Sequence, residues 1–136
     1  MRHGVFGRKL SKDTNERKSL FKNLISSLFL HGEIQTTETR AKAIKGLVDK
    51  LVSRARQETV NTKKQISAFL QDKKVVDKLF KEIAPRYKTR PGGFTRIIRL
   101  GNRQGDQAGM VKMEMVEGEK GEETEEKEAT GKKKEK

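Results

Sequence analysis

The 136-residue chain has no cysteine and no tryptophan, and only two prolines, two histidines and one tyrosine. Without cysteine there is no disulfide, no cysteine-ligated zinc and no thiol nucleophile. Long apolar runs are missing too. The longest, residues 24–30, is broken by Ser26 and Ser27 and falls far short of the roughly 20 residues of a bilayer span. The chain opens on basic residues with no apolar segment behind them, so no secretory signal is expected and a soluble, intracellular protein is. Catalytic groups are equally scarce. His3 and His31 are the only histidines, and HExxH, GxSxG and GxxxxGK[ST] are absent. The stretch GNRQGDQAG joins two strand-like segments instead of opening a helix, so it lacks the setting of a nucleotide loop. His31 reads as a cap-side or RNA-contacting residue, not as a base. These absences argue against an enzyme, a metal site, a cofactor, a small-molecule substrate and a membrane span.

Positive charge, by contrast, is abundant. Lys and Arg number 32 against 19 Asp and Glu, a net of +13. Residues 117–136 hold eight Glu and six Lys, so residues 1–116 alone carry +15. A polyanion is therefore the expected partner, either nucleic acid or an anionic membrane face. Apolar residues make up 32% of the chain, enough for a modest core under a charged surface.

Residues 1–13 have no helical period and read as an extended basic arm, with Gly4 and Gly7 spaced among cations. Asp13 and Glu16 resemble a capping box, which predicts a helix from about Thr14. Its apolar face is Leu20, Phe21, Leu24, Ile25, Leu28 and Phe29, and Gly32 stands where a C-terminal cap belongs. A short strand, residues 33–36, leads to a second helix capped by Thr36 or Thr37, with Ala41, Ile44, Leu47, Val48, Leu51, Val52 and Ala55 on one stripe. Gly46 interrupts its polar side, either to admit a close neighbour or for no evident reason; the cost against Ala is roughly 1 kcal/mol. Asn61-Thr62 is a candidate cap for a third helix with Ile66, Phe69 and Leu70. Asp72 is the candidate for a fourth, with Val75, Val76, Leu79, Phe80 and Ile83, which Pro85 is expected to stop.

Beyond Pro85 the pattern changes to alternation. Residues 94–100 and 110–116 read as the strands of a hairpin, with residues 33–36 as a third sheet member. The fold class is α+β: a compact two-layer domain of about four helices and a small three-stranded sheet. The expected organisation is a basic arm (1–13), one folded domain (14–116) and a disordered Glu/Lys-rich tail (117–136) with no large apolar residue.

Residues 86–96, RYKTRPGGFTR, pack four cations, Pro-Gly-Gly and two aromatics into eleven positions. Arginine forks and lysine charges suit phosphate oxygens, and Gly92-Gly93 can take positive φ. Tyr87 and Phe94 either stack on an unpaired base or fill the core. Arg96 and Arg99 are expected on opposite sheet faces. Two separated basic segments without a helix-turn-helix, zinc-finger or RRM signature suit a shaped RNA better than a DNA groove. A nucleoid-type DNA-binding protein is the alternative, and an RNA-processing enzyme lacks a base, a nucleophile and a metal cluster.

Three segments carry a resemblance. MRHGVFGRKL, then RKSLFKNLISSLFLHGEIQTTETRAKAIKGLVDKLVSRAR, then LFKEIAPRYKTRPGGFTRIIRLGNRQGDQAGM, are similar in order and spacing to the bacterial large-subunit ribosomal protein seventeen family. The resemblance implies a structural protein of the cytoplasmic 50S subunit that binds 23S ribosomal RNA beside neighbouring large-subunit proteins. Carried over residue by residue, it implies RNA contacts from Arg2, His3, Arg8, Lys9 and Arg17, from Thr36, Thr37, Arg40 and Lys42, and from Arg86, Arg90, Gly92, Gly93, Thr95 and Arg96. Two departures stand out. Glu16 replaces a common His, which favours capping there over RNA contact, and Phe94 replaces a common Tyr, which removes a hydroxyl.

Overall fold

The computed structural model describes residues 7–116. Arg2, His3 and the expected disordered tail therefore lie outside the described residues. The elements in chain order are α1 (Thr14–His31), β1 (Glu33–Thr37), α2 (Glu38–Ala55), α3 (Val60–Leu70), α4 (Lys73–Lys78), β2 (Thr95–Asn102) and β3 (Gly109–Met115). A π-helical turn, Leu79–Ile83, and a last helical turn, Ala84–Arg86, extend α4. The three strands form one antiparallel sheet in the order β1-β3-β2, with helices on one side. This is the α+β arrangement that the periodicities predict.

The core follows the apolar stripes. Ile25, Leu28 and Phe29 of α1 meet Ala41, Ile44, Val48, Leu51, Val52 and Ala55 of α2, all buried. Val111 and Met113 project from β3 into the same core, so Ile34, Thr36, Thr95 and Ile97, which share their face by register, point toward the helices. The opposite sheet face, with Glu33, Gln35, Arg96, Ile98, Lys112 and Glu114, is open.

Helix ends differ in how they are satisfied. Gly32 is left-handed (φ +80°) and its N–H donates to the Leu28 carbonyl, closing α1 as a glycine can without strain. Lys78 Nζ adds a 2.7 Å bond to the Leu30 carbonyl at the same end. At the start of α1 the helix begins at Thr14 as expected, but the Asp13 carboxylate makes no capping bond; only its backbone carbonyl receives the Arg17 N–H. Thr37, not Thr36, precedes α2, again without a side-chain cap.

Two helical boundaries depart from the sequence reading. The cap of α3 is Thr59, whose hydroxyl oxygen accepts from the Thr62 N–H at 3.2 Å, and Thr62 is itself buried, its hydroxyl donating to the Thr59 carbonyl at 2.8 Å. Asn61-Thr62 thus lies inside the first turn. Pro85 does not stop the fourth helix. The ladder widens just before it, the Ala84 N–H reaching five residues back to the Leu79 carbonyl. A widened turn relieves the clash that a proline ring makes with the carbonyl four residues earlier, and no N–H is needed from Pro85. Asp72 does cap α4, accepting from the Lys74 N–H at 3.0 Å.

Candidate nucleic-acid interface

The outward side of α2 and the N-terminal half of α1 enclose a groove with residues 7–9. Gly7, Arg8 and Lys9 form one wall, Arg17 and Phe21 the next, and Lys42, Ala43, Gly46, Leu47 and Lys50 the third, around about 630 Å³. Lys42, Gly46 and Lys50 are spaced by four, so they stack along one helix side at intervals of about 6 Å. The chain reaches α1 through a tight turn in which Leu10 and Ser11 are both left-handed (φ 55° and 52°) and the Lys12 N–H donates to the Lys9 carbonyl at 3.2 Å. Of the five cations, Lys42 touches Glu38 at 2.6 Å. The other four have no ion-pair partner among the described residues. Half-buried Phe21, Ala43 and Leu47 lie among these cations, a mixture that suits ribose and base together with phosphate.

The loop from Arg86 to Phe94 is held from beneath by α2. Asp49 accepts the Phe94 N–H at 3.1 Å, and Arg56 donates to the carbonyls of Arg90 (2.8 Å) and Lys88 (2.7 Å). The Arg56 guanidinium also lies 6.0 Å from the centre of the Phe94 ring, within cation–π range. Tyr87 and Phe94 are both fully buried with ring centres 5.2 Å apart, so of the two readings the core role holds and base stacking does not. Burial pushes the Tyr87 phenol above its ordinary pKa. Its hydroxyl donates to the Val116 carbonyl, while the Val116 N–H donates to the Phe94 carbonyl. Clamped this way, the loop turns Arg86, Lys88 and Thr89 to solvent. Gly93 has φ +66°, the positive value expected of one glycine in the pair.

On the hairpin the charges are arranged differently. Arg96 pairs with Glu114, Arg99 with Glu38 (3.3 Å), Arg103 with Asp106 (2.6 Å), and Lys112 with Glu33 (2.5 Å) and Glu114 (3.4 Å). Arg96 and Arg99 occupy opposite sheet faces, as alternation predicts. The hydrogen bond from Lys42 lowers the Glu38 pKa, with Arg99 adding to it. The bond from Arg96 lowers that of Glu114, and the bond from Arg103 lowers that of Asp106 to about 2. Glu33 in turn raises Lys112.

The expected contact residues thus fall into three places. Arg8, Lys9, Arg17 and Lys42 converge on the groove, with Arg40 exposed on the first turn of α2. Arg86, Arg90, Gly92 and Gly93 share the clamped loop. Thr36 and Thr95 need correcting: both are buried on the helix-facing side, and the Thr95 hydroxyl has no hydrogen-bond partner, so these side chains pack and do not reach a surface. Thr37 is half-buried, its hydroxyl 3.3 Å from that of Thr39, and Arg96 is engaged with Glu114. Sequence reasoning missed Lys50, which lies two turns beyond Lys42 on the same side, and missed Asp49 and Arg56. The last two stand seven residues apart, hence on one helix side, which was the available signal.

Comparison with known proteins bears on the same residues. The profile of the family described as ribosomal protein L17 matches residues 20–116. The chain is 44% identical over 119 residues to the large ribosomal subunit protein bL17 of Syntrophotalea carbinolica, covering 88% of this chain and 77% of that one. It is 48% identical over 116 residues to the bL17 of Dictyoglomus turgidum, covering 85% of this chain and all of the relative. Against the bL17 of Heliobacterium modesticaldum the identity is 45% over 109 residues, covering 80% and 97% of the two chains.

Proposed function

The chain belongs to the ribosomal protein L17 family, and from that premise we propose that it binds 23S ribosomal RNA through the α2 groove and the clamped loop, helping to hold the folded large subunit together. Membership makes it a structural, non-enzymatic constituent of the ribosome, which in this reading also meets neighbouring large-subunit proteins. Its place is the large subunit in the cytoplasm. The observation that carries the reading is the groove: Arg8, Lys9, Arg17 and Lys50 line it beside Phe21 and Leu47, with no carboxylate paired to them among the described residues. Arg40, Lys42, Arg86, Arg90, Gly92 and Gly93 extend the surface, and Arg2 and His3 belong to the same basic arm by sequence.

Cations that are free in the protein displace condensed counterions when they meet phosphates, so affinity becomes steeply salt-dependent. A rigid α+β body with an arm reads RNA by shape, satisfying phosphates from several sides. The test is binding of the purified full chain to 23S RNA at graded salt. If six to ten phosphates are neutralised, affinity falls about 10³–10⁵-fold between roughly 50 and 200 mM, taking the duplex-DNA slope as a guide. A nearly flat response overturns the proposal.

A further inference from the structure

We propose that the open face and free edge of the β2–β3 hairpin form a protein-docking surface, taken by an extended, alternately apolar segment of a neighbouring large-subunit protein. The inference rests on the ribosomal placement above but not on the RNA groove. Its first ground is charge. Arg96, Arg99, Arg103 and Lys112 are each matched to a carboxylate of this chain, so this quarter of a very basic molecule is locally neutral. Glu33 and Glu114 lie on the open face itself, where they repel phosphate. An RNA backbone gains little from cations already engaged and meets two carboxylates.

The second ground is apolar exposure. Ile98 (38% exposed) and Leu100 (51%) stand two residues apart on β2, Leu100 in the bulge where the register shifts between Arg99 and Gly101, next to the half-buried Met110. Two large aliphatic side chains on an eight-residue strand that has a neighbour on one side only, among the described residues, make an edge suited to strand addition: main-chain hydrogen bonds supply affinity and alternate side chains specificity. A second copy of this chain is disfavoured as the occupant. Each carries +13, so two copies repel one another as whole molecules. A partner segment with mixed charge finds both signs presented in a fixed ladder, Glu33–Lys112–Glu114–Arg96, across the three strands.

Because the chain has no cysteine, Ile98→Cys introduces a single thiol for a benzophenone photocrosslinker. The labelled full chain is assembled into large subunits, with Lys50→Cys as a second probe on the groove. The expected result is an adduct between position 98 and one defined large-subunit protein. An adduct with ribosomal RNA, with another copy of this chain, or with nothing overturns the proposal. The Lys50 probe reports on the other reading: its failure to crosslink RNA counts against the groove and leaves the hairpin result standing. Independently, the Ile98→Asp/Leu100→Asp variant should assemble at least tenfold less well in competition with the unaltered chain while keeping its affinity for isolated 23S RNA. Loss of RNA affinity together with assembly, or loss of neither, overturns the docking surface.

Discussion

In the groove beside α2, Arg8, Lys9, Arg17 and Lys50 stand without an acidic partner among the described residues, whereas on the hairpin every arginine, and Lys112, touches a carboxylate. Both regions look basic in sequence. They differ in what their charge is free to do. An unpaired surface cation carries a counterion that phosphate binding releases, and that release supplies most of the non-specific affinity of a protein for nucleic acid. A cation already bonded to a carboxylate must give up that contact or bring the negative charge along. Position in the fold, not residue type, therefore separates a phosphate-binding surface from a neutral one.

The largest expected effect comes from removing the free charges. The Arg8→Gln/Arg17→Gln/Lys50→Gln variant should bind 23S RNA about 10²-fold more weakly at roughly 150 mM salt, and its log–log salt slope should be shallower by about three. The hairpin variant Arg99→Gln/Arg103→Gln should change affinity less than about threefold by the same reasoning. Filter binding over a salt series measures both. Equal losses would erase the distinction and leave bulk charge as the whole account.

Next in size is the clamp that holds the second basic surface. Arg56 donates two charged hydrogen bonds to main-chain carbonyls of the loop. Hydrogen bonds to charged groups contribute about 1.5–3 kcal/mol each at best, and this side chain is partly solvated, so Arg56→Ala should lower unfolding free energy by about 1–3 kcal/mol. Arg56→Lys should not restore it, because an ammonium cannot span both carbonyls as the planar fork does. Urea unfolding provides the measurement. Affinity for RNA should fall with it if the loop is a contact surface, since Arg86 and Arg90 would lose their fixed placement.

Much of this molecule is readable from periodicity. The stripes of α1 and α2 name the core almost residue by residue, and the alternation after Pro85 gives the hairpin. What resisted reading was local competition between equivalent groups. Thr59, Asn61 and Thr62 are all competent caps, and the structure uses Thr59, with Thr62 buried inside the first turn of α3. Pro85 reads as a terminator because the rule ignores the π-turn that accommodates it. The candidate site was legible in its cations but not in their partners. Nothing in the spacing of Arg96 and Glu114, eighteen residues apart, shows that β3 will set them opposite each other. Thr36 and Thr95, RNA contacts by resemblance alone, lie on the inner face, which only the strand register reveals.

Smaller effects refine the groove. Gly46 lies on the exposed side of α2, and a methyl group added there meets nothing within 4 Å. Gly46→Ala should therefore stabilise the free protein by about 0.8–1 kcal/mol through helix propensity, read from the urea midpoint. Loss of RNA affinity in this more stable variant would show that a ribose or phosphate rides directly on the helix backbone. Deleting residues 117–136, net −2 by sequence, should alter incorporation into large subunits by less than about 1 kcal/mol, as exposed charges usually do.

The smallest effect belongs to the tip of the hairpin, where the paired state can be watched directly. Arg103 Nε and Nη2 donate to the two Asp106 carboxylate oxygens at 3.1 and 2.6 Å, and the Ala108 N–H adds a third donor at 3.3 Å. These bonds favour the ionised form, which is why Asp106 titrates at about 2 and not at 3.8. A depressed carboxyl pKa contributes stability that is fully present above 3.8 and fades as pH falls from there through about 2. The tip should accordingly loosen only in that acid window, while Arg8, Lys9, Arg17 and Lys50, which have no ion-pair partner among the described residues, are unaffected there. Arg103→Gln should move the Asp106 midpoint upward, though not fully to 3.8, because the Ala108 donor remains. Carboxyl NMR titration at low and high salt follows it, and salt should shift the midpoint upward by screening the exposed pair. An Asp106 midpoint unmoved by the substitution would mean that the backbone donor alone fixes the carboxylate, and the hairpin's neutrality would then rest on one fewer matched arginine.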